Sequence, residues 1–376
     1  MSARRILVLG GYGMAGMPLA RLLLRETDVS LVLAGRCIDR AERAAAELNA
    51  EFQGDRVSAT CADASVPDSL NAAFQDVGFV LVASSTARYV RQIATAALRA
   101  RIDYLDIHYS NTQYARLQPL AQEIERAGLC FITEAGFHPG LPAAMVRYAA
   151  LGFDRLDSAT VGSVINQGGG LPLTDGVYEL VEEFKDYRAL VYKDGAWRES
   201  KNGGMADAIR IDFGSPFGRR NCFPMFLEEM RAMPEMLPSL RETGFYIAGF
   251  NWFADWFVMP LMMVAMKLFP RVAVKPMGRL LCWSTRAFSS PPYGIVMRVE
   301  AAGEKGGQPK SVEVSLFHDD GYLFTAIPVV ACLLQYLDGS LRRPGLWMMG
   351  HMVAPSRLVN DMERMGVKIS GSEDGG

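Results

Sequence analysis

The sequence predicts an α/β protein: a Rossmann doubly wound parallel sheet joined to a second, mixed α/β substrate domain on a largely antiparallel sheet. Three observations predict it. Apolar runs of strand length alternate with helix-like segments through the first 140 residues; a glycine-rich turn separates the first run from the first helix; and past residue 150 hairpin signals replace the alternation. Strands alternating with helices over such a length imply βαβ units with right-handed crossovers.

RILVLG (5–10) is continuously apolar, as in a strand buried on both faces of a parallel sheet. Five further strand-like runs follow: VSLVLAG (29–35), RVSATC (56–61), FVLVAS (79–84), DYLDI (103–107) and LCFIT (129–133). Helical spacing recurs between them at 39–50, 66–75, 88–100 and 112–127. Six strands complete a dinucleotide-binding domain over 1–140. Residues 141–335 are expected to form a substrate and dimerisation domain, and 336–376 a segment packing back on the first domain.

With 376 residues and half of them hydrophobic, the chain can fill more than one core. A net charge of −2 without a basic run argues against nucleic acid as partner. Its six cysteines form no CxxC pair and no cluster with histidine, so neither a metal nor a disulfide framework is expected, and a reducing cytoplasm fits. Arg4 and Arg5 precede an apolar stretch of only five residues, too short for a signal peptide.

Gly11-Tyr12-Gly13-Met14-Ala15-Gly16 fits GxGxxG directly after a strand and opening a helix. In that pattern Gly11 allows the tight turn, Gly13 lets backbone approach a pyrophosphate, and Gly16 lets helix pack on strand. Phosphates are expected over the helix N-terminus, where free N–H groups and the dipole favour anions. Gly10, Gly13 and Gly16 also fit the GxxGxxG spacing of short-chain reductases, but no tyrosine is followed by lysine four residues on, which that chemistry needs. The second strand ends at Arg36, with Arg40 one turn later, where an NAD site usually carries an acid. A guanidinium suits a 2′-phosphate, so NADP is the expected cofactor; the other reading of both arginines is a solvated surface charge. Asp63 is expected near the adenine amine or as a helix cap, and Ser84, Ser85 and Thr86 along the cofactor's inner ribose or as helix caps.

Ligands of open α/β sheets bind outside the carboxyl ends of the strands. Two loops fall there, 106–110 and 134–140, and they carry Asp106, His108, Tyr109, Glu134 and His138. Two of the chain's four histidines are among these, and histidine is well matched to proton transfer near neutral pH. Asp106, His108, Tyr109 and His138 are therefore the candidate catalytic residues. The competing readings are capping for Asp106, packing for Tyr109, a supporting hydrogen bond for Glu134, and a pre-helix turn for His138 before a helix at 141–151.

Beyond residue 150, LDSATVGSVIN (156–166), IVMRVEA (295–301) and SVEVSLFH (311–318) read as strands, and ALVYKDGAWRES (189–200) as a hairpin turning on Asp194-Gly195. Helices are expected at 174–188, 323–338 and 356–366, and Arg219-Arg220 sits in what reads as a loop able to clamp a carboxylate. The segment 244–269, GFYIAGFNWFADWFVMPLMMVAMKLF, is the one stretch with the apolar length of a membrane span. Asn251, Asp255 and Pro260 interrupt it, and Trp252, Phe253, Trp256 and Phe257 recur at i, i+4 spacing. A helix pair lining a substrate cleft or dimer interface, a helix dipping into one leaflet, and a true span all remain open.

ILVLGGYGMAGMPLARLLL (6–24), LVLAGR (31–36), RAERAAAEL (40–48), DYLDI (103–107) and above all EAGFHPGLPAAM (134–145) carry a resemblance to the saccharopine dehydrogenase-like family of NADP-binding oxidoreductases. Gly136 to Gly140 matches that family's Gly-x-x-Pro-Gly turn, and PGLWMMGHMVAPSRLVNDMERMGVKI (344–369) is similar to its carboxy-terminal end. The resemblance implies a Rossmann domain with a mixed α/β substrate domain, frequent homodimers, and hydride transfer at an imine, as in saccharopine reductases and carboxynorspermidine synthases. Two departures stand out: Ser84-Ser85-Thr86 replaces a Gly-Pro-Phe-like turn, and the aromatic insert at 244–269 suits a small charged amino acid poorly. The expected function is NADP(H)-dependent hydride transfer at a C=N or C=O carbon of a small amino-acid-derived substrate. The alternatives are a membrane-peripheral reductase of a lipid carbonyl or enoyl group, touching the bilayer through 244–269, and a non-catalytic NADP(H)-binding protein.

Overall fold

A computed structural model describes residues 5–109 and 111–375; Arg4 and Ser110, read above from sequence, lie outside them. The chain divides into two compact units: residues up to Leu141 with Thr325–Met362, and Pro142–Phe324 with residues from Glu363 onward.

The first unit is a doubly wound parallel sheet. Its strands are β1 (Arg5–Leu9), β2 (Ser30–Gly35), β3 (Val57–Cys61), β4 (Phe79–Val82), β5 (Asp103–Asp106) and β6 (Cys130–Thr133). Among the described residues the sheet has seven strands rather than the expected six. The extra one, Gly345–Met348, runs parallel to β6 with Leu346 opposite Phe131, so the spatial order is extra strand–β6–β5–β4–β1–β2–β3. Its four residues are too short to read as a strand alone; pairing with β6 makes it one. Strands buried on both faces need apolar residues throughout, and Ile6, Leu7, Val8, Val80, Leu81 and Phe131 have no exposure. Helix α1 (Gly16–Glu26) buries Leu19, Leu22 and Leu23 against this core. The segment 112–127 is broken into Gln113–Leu117, a 3₁₀ turn Gln118–Leu120 and Ala121–Arg126. Pro119, which lacks an N–H donor, sits in that turn.

The buried Asp103 ties the late segment to β5. Its carboxylate accepts from the Cys130 N–H at 2.7 Å and the Arg342 Nε at 3.0 Å, and it is hydrogen-bonded to the Tyr336 hydroxyl. A carboxylate with 1% exposure is tolerated because each of its oxygens meets a donor.

The second unit is a mixed, mainly antiparallel sheet. Arg155–Asn166 lies at its centre, antiparallel to Gly294–Lys305 and parallel to Glu242–Ala248; Gln308–His318 and Lys368–Gly375 extend one side, and Arg219–Pro224 and Ile209–Asp212 the other. The hairpin Leu190–Lys193/Ala196–Glu199 turns on Asp194 (φ 52°) and Gly195 (φ 80°), as its Asp-Gly pair predicts. Arg219 and Arg220 lie on a strand, not in a loop. Arg219 Nε meets the carboxylate of its ladder neighbour Asp212 at 3.2 Å and Arg220 Nε the carbonyl of Phe217 in the preceding turn at 3.0 Å, so local partners engage both. The segment 244–269 is not one helix or a helix pair: it starts in the strand Glu242–Ala248, continues in a π turn, Ala254–Val258, and ends in the helix Met259–Leu268. A further helix, Pro270–Phe288, carries Pro276 inside it. Its prolines hid it from sequence reading. Among the described residues no helix is long and apolar enough to cross a membrane.

The Asp103 network generates a prediction. Asp103→Ala strands two buried donors, from Tyr336 and Cys130, and should cost about 3 kcal/mol in urea unfolding of the full chain. Arg342→Ala, at a half-exposed partner, should cost about 1 kcal/mol or less. Equal losses for the two variants would show that the carboxylate is not the centre of the network.

Candidate functional site

β1, β4, β5 and β6 are parallel, so the loops leaving their carboxyl ends share one rim: Gly10 to Ala15, Ser84 to Thr86, Ile107 to Tyr109, and Glu134 to Gly140. At register level Leu9, Val82 and Asp106 are successive neighbours across the sheet.

The glycine turn is built by contacts that exclude side chains. Gly10 holds the left-handed backbone (φ 88°), so the tight-turn role falls to it rather than to Gly11. A Cβ on Gly10 would press into Ser84, and one on Gly11 into Leu33 at 2.8 Å. One on Gly16 would overlap the Gly10 carbonyl, which locks the start of α1 against the end of β1. A Cβ on Gly13 would meet only the Gly10 carbonyl oxygen, at 3.0 Å, and otherwise open space, as a phosphate-facing position requires. Ala15 caps α1 without a side-chain hydrogen bond, and the first turn holds no acidic residue. With Met14 exposed beside it, this helix start can take an anion on backbone N–H groups.

Tyr12 reaches across the end of β2. Its hydroxyl accepts the Cys37 N–H at 3.1 Å, its ring covers Gly35, and the Arg40 guanidinium lies 4.9 Å from the ring centroid. Arg40 is therefore stacked and Arg36 is exposed at the strand end. Asp63 does not cap the next helix, whose cap is Val66. Its Oδ1 accepts from the Ser65 hydroxyl (2.7 Å) and N–H (2.8 Å), which, with nearby Arg36, hold its carboxyl below the usual range.

A run of polar side chains leads from the loop beside the glycine turn to β5. Ser84 Oγ and Thr86 Oγ1 are 2.9 Å apart, and Thr86 Oγ1 lies 3.2 Å from His108 Nε2. His108 Nδ1 stands 3.5 Å from Asp106 Oδ1, which also accepts the His108 N–H at 3.2 Å. Asp106 Oδ2 accepts the hydroxyls of Tyr104 and Thr133, each at 2.8 Å. Thr86 thus does not cap the following 3₁₀ turn with its side chain; the hydroxyl turns to His108. Ser85 is exposed and outside this run. Burial pushes the His108 imidazole below its ordinary value, opposed by the Asp106 charge, so the ring is neutral at neutral pH.

His138 and Tyr109 form a second pairing, with ring centroids 6.4 Å apart, edge to face, and Phe137 packs 4.2 Å from His138. Burial lowers His138 to about 4. Glu134 is fully buried in the left-handed region (φ 55°), with Oε1 3.4 Å from the Tyr114 N–H. Such a conformation in a non-glycine residue stores strain where surrounding contacts fix it. Sequence reasoning missed Tyr104 and Thr133, the two hydroxyls that hold Asp106. Tyr104 sits two residues before Asp106 on β5, and Thr133 follows Ile132, the neighbour of Leu105, so register was the available signal. It also missed Gln113, fully buried with neither amide atom hydrogen-bonded among the described residues.

Comparison with known proteins fits this geometry. Residues 6–132 match the family model for the saccharopine dehydrogenase NADP binding domain. Across a 400-residue alignment the chain is 24% identical to the carboxynorspermidine synthase of Vibrio cholerae, covering 95% of this chain and 94% of that one. The Vibrio alginolyticus protein of the same name is 23% identical over the same shares. Saccharopine dehydrogenase (L-Glu forming) from Saccharomyces cerevisiae superposes with a TM-score of 0.71 at 13% identity, covering 99% of this chain and 100% of that one, a likeness of fold.

Two outcomes follow from the site. Gly16→Ala should weaken NADP(H) binding at least about tenfold, because the helix start must move from the strand end; isothermal titration reads it, and unchanged affinity would refute the locking contact. An unfolded histidine titrates near 6.5, above folded His138 at about 4. The unfolded chain therefore binds more protons in that window, and stability falls as pH drops through it. His138→Gln should remove up to about 3 kcal/mol of that acid loss, measured as urea midpoints at neutral pH and near pH 4.5.

Proposed function

From the premise that the amino-terminal domain belongs to the saccharopine dehydrogenase NADP-binding family, we propose that the chain is an NADP(H)-dependent oxidoreductase acting at a C=N or C=O carbon of a small amino-acid-derived substrate. The observation that carries this reading is the run of polar side chains from Asp106 through His108 and Thr86 to Ser84, beside Gly10. It joins a proton-holding imidazole to the turn that fits a dinucleotide.

The turn from Gly10 to Gly16 and the uncapped start of α1 hold the pyrophosphate, with Tyr12, Met14 and Ala15 in the same loop. Arg36 takes the 2′-phosphate, and Arg40, stacked on Tyr12, adds positive charge beside it. Asp63 would face the adenine end, and Ser84 and Ser85 the inner ribose. When bound, the nicotinamide supplies or accepts the hydride.

The proton follows another route. Asp106, whose oxygens accept from Tyr104, Thr133 and the His108 N–H, sets its charge 3.5 Å from His108 Nδ1, and Nε2 faces the Thr86 hydroxyl. Nε2 takes a proton through the Thr86 hydroxyl when the substrate C–N or C–O bond is oxidised, and returns it when the double bond is reduced. Neutral His108 is the form this needs in the oxidative direction. Tyr109 and His138 orient the substrate. The curated relatives named as carboxynorspermidine synthases support an amino-acid-derived C–N bond as the reacting group.

Titration with NADPH and NADH, followed by turnover against amine–carbonyl pairs, tests the reading. Arg36→Ala should weaken NADPH about tenfold to a hundredfold and leave NADH unchanged. His108→Gln should keep NADPH affinity while lowering kcat about 10²–10⁴-fold and flattening its pH profile. Tight NADPH binding without turnover on any imine or carbonyl would leave a binding protein instead.

A further inference from the structure

The helices Met259–Leu268 and Pro270–Phe288 bury one side in a shared core. Val258, Met262 and Met266 meet Val274, Leu281 and the helix bearing Val181 there. The outer side of the first helix and of the turn after it is apolar as well. Trp256, Leu261, Val264, Leu268, Phe269 and Val272 are each 50–75% exposed. Phe257, Leu261, Val264 and Leu268 fall at i, i+4, i+7 and i+11, one stripe opposite the buried one. An all-round apolar helix is ordinarily interior or in lipid. At the hairpin's open end, Trp252, Phe253, Phe257, Trp283 and Phe288 form one ring cluster, with Phe253 stacked on Phe288 at 4.5 Å and on Phe257 at 5.3 Å. Trp252 and Trp283 remain more than half exposed.

Charge decides what covers this face. From Trp256 to Val299 the sequence holds no aspartate or glutamate, and Lys267, Arg271, Lys275, Arg279 and Arg286 are all exposed around the apolar stripe. The acid that precedes this stretch in the sequence, Asp255, accepts the Phe250 N–H at 2.9 Å. A second copy packed isologously would set these cations against themselves without a carboxylate on either hairpin. An anionic lipid surface meets both features: aromatic and aliphatic side chains enter the acyl boundary while the cations reach lipid phosphates. Neither helix is long and apolar enough to cross a bilayer, so the contact that fits is with one leaflet.

We infer that the 256–288 hairpin docks the protein on an anionic lipid bilayer surface, with Trp256, Leu261, Val264 and Leu268 inserted and Lys267, Arg271, Lys275 and Arg279 bound to headgroup phosphates. The inference rests on the second unit alone and is independent of the proposed chemistry.

Flotation of the full-length protein with phosphatidylcholine vesicles, with or without phosphatidylglycerol, tests it. The protein should float with the anionic vesicles and at least about tenfold less with the neutral ones, and brominated acyl chains should quench its tryptophan emission. Neutralising Lys267, Arg271, Lys275 and Arg279 to Gln should weaken binding about fivefold per residue. Trp256→Ala with Leu261→Ala and Leu268→Ala should lose both flotation and quenching. Each substitution is at an exposed position, and an unchanged thermal midpoint and NADPH affinity report a retained fold. No flotation of the wild type, or equal flotation with both vesicle types, overturns the inference. So does a concentration-dependent dimer that the alanine variant abolishes without any vesicle binding, which assigns the face to a second copy.

Discussion

The first unit depends on a backbone contact no side chain can occupy. Gly16 sits directly on the Gly10 carbonyl, so the first helix begins where the first strand ends and aims its free N–H groups along the sheet rim. Had Gly16 carried a Cβ, the helix would stand off, and the turn would lose its geometry. Gly10 also receives Ser84 from the fourth strand's loop at van der Waals contact.

Two aspartates on β5 show how a buried charge is used twice. Asp103, with 1% exposure, is surrounded by donors from Cys130, Tyr336 and Arg342 and pins the late segment of the chain to the sheet. Asp106, fully buried, is held by two hydroxyls and turns its remaining oxygen to His108. Neither carboxylate could be buried without such partners, since desolvation would otherwise exceed any attraction gained. One group supports architecture and the other positions a ring.

The second unit solves a different problem. Its sheet buries Val164, Ile211, Phe213 and Tyr246 in one cluster, while the helical hairpin packs over another. A monomer in water rarely exposes contiguous apolar surface of the kind the hairpin presents. Its aromatic cluster is internally packed, ring on ring, so the exposure is of a formed surface rather than of loose side chains.

The sequence by itself determined the nucleotide-binding architecture, because strands buried on both faces must be continuously apolar and a phosphate turn must be glycine. It also determined that Asp106, His108, Glu134 and His138 would share one rim, because parallel strands put all their carboxyl ends on one side. It did not reveal that residues 345–348 complete the sheet, that 219–224 form a strand, or that 270–288 form a helix despite two prolines. Those assignments depend on partners distant in the chain, and a short or proline-bearing segment carries no period of its own. Only tertiary structure decided that Thr86 would turn to His108 instead of capping, that Tyr104 and Thr133 would hold Asp106, and that Arg40 would stack on Tyr12. Hydrogen bonds and ring contacts depend on distances of a few ångströms between residues tens of positions apart, which local spacing does not encode.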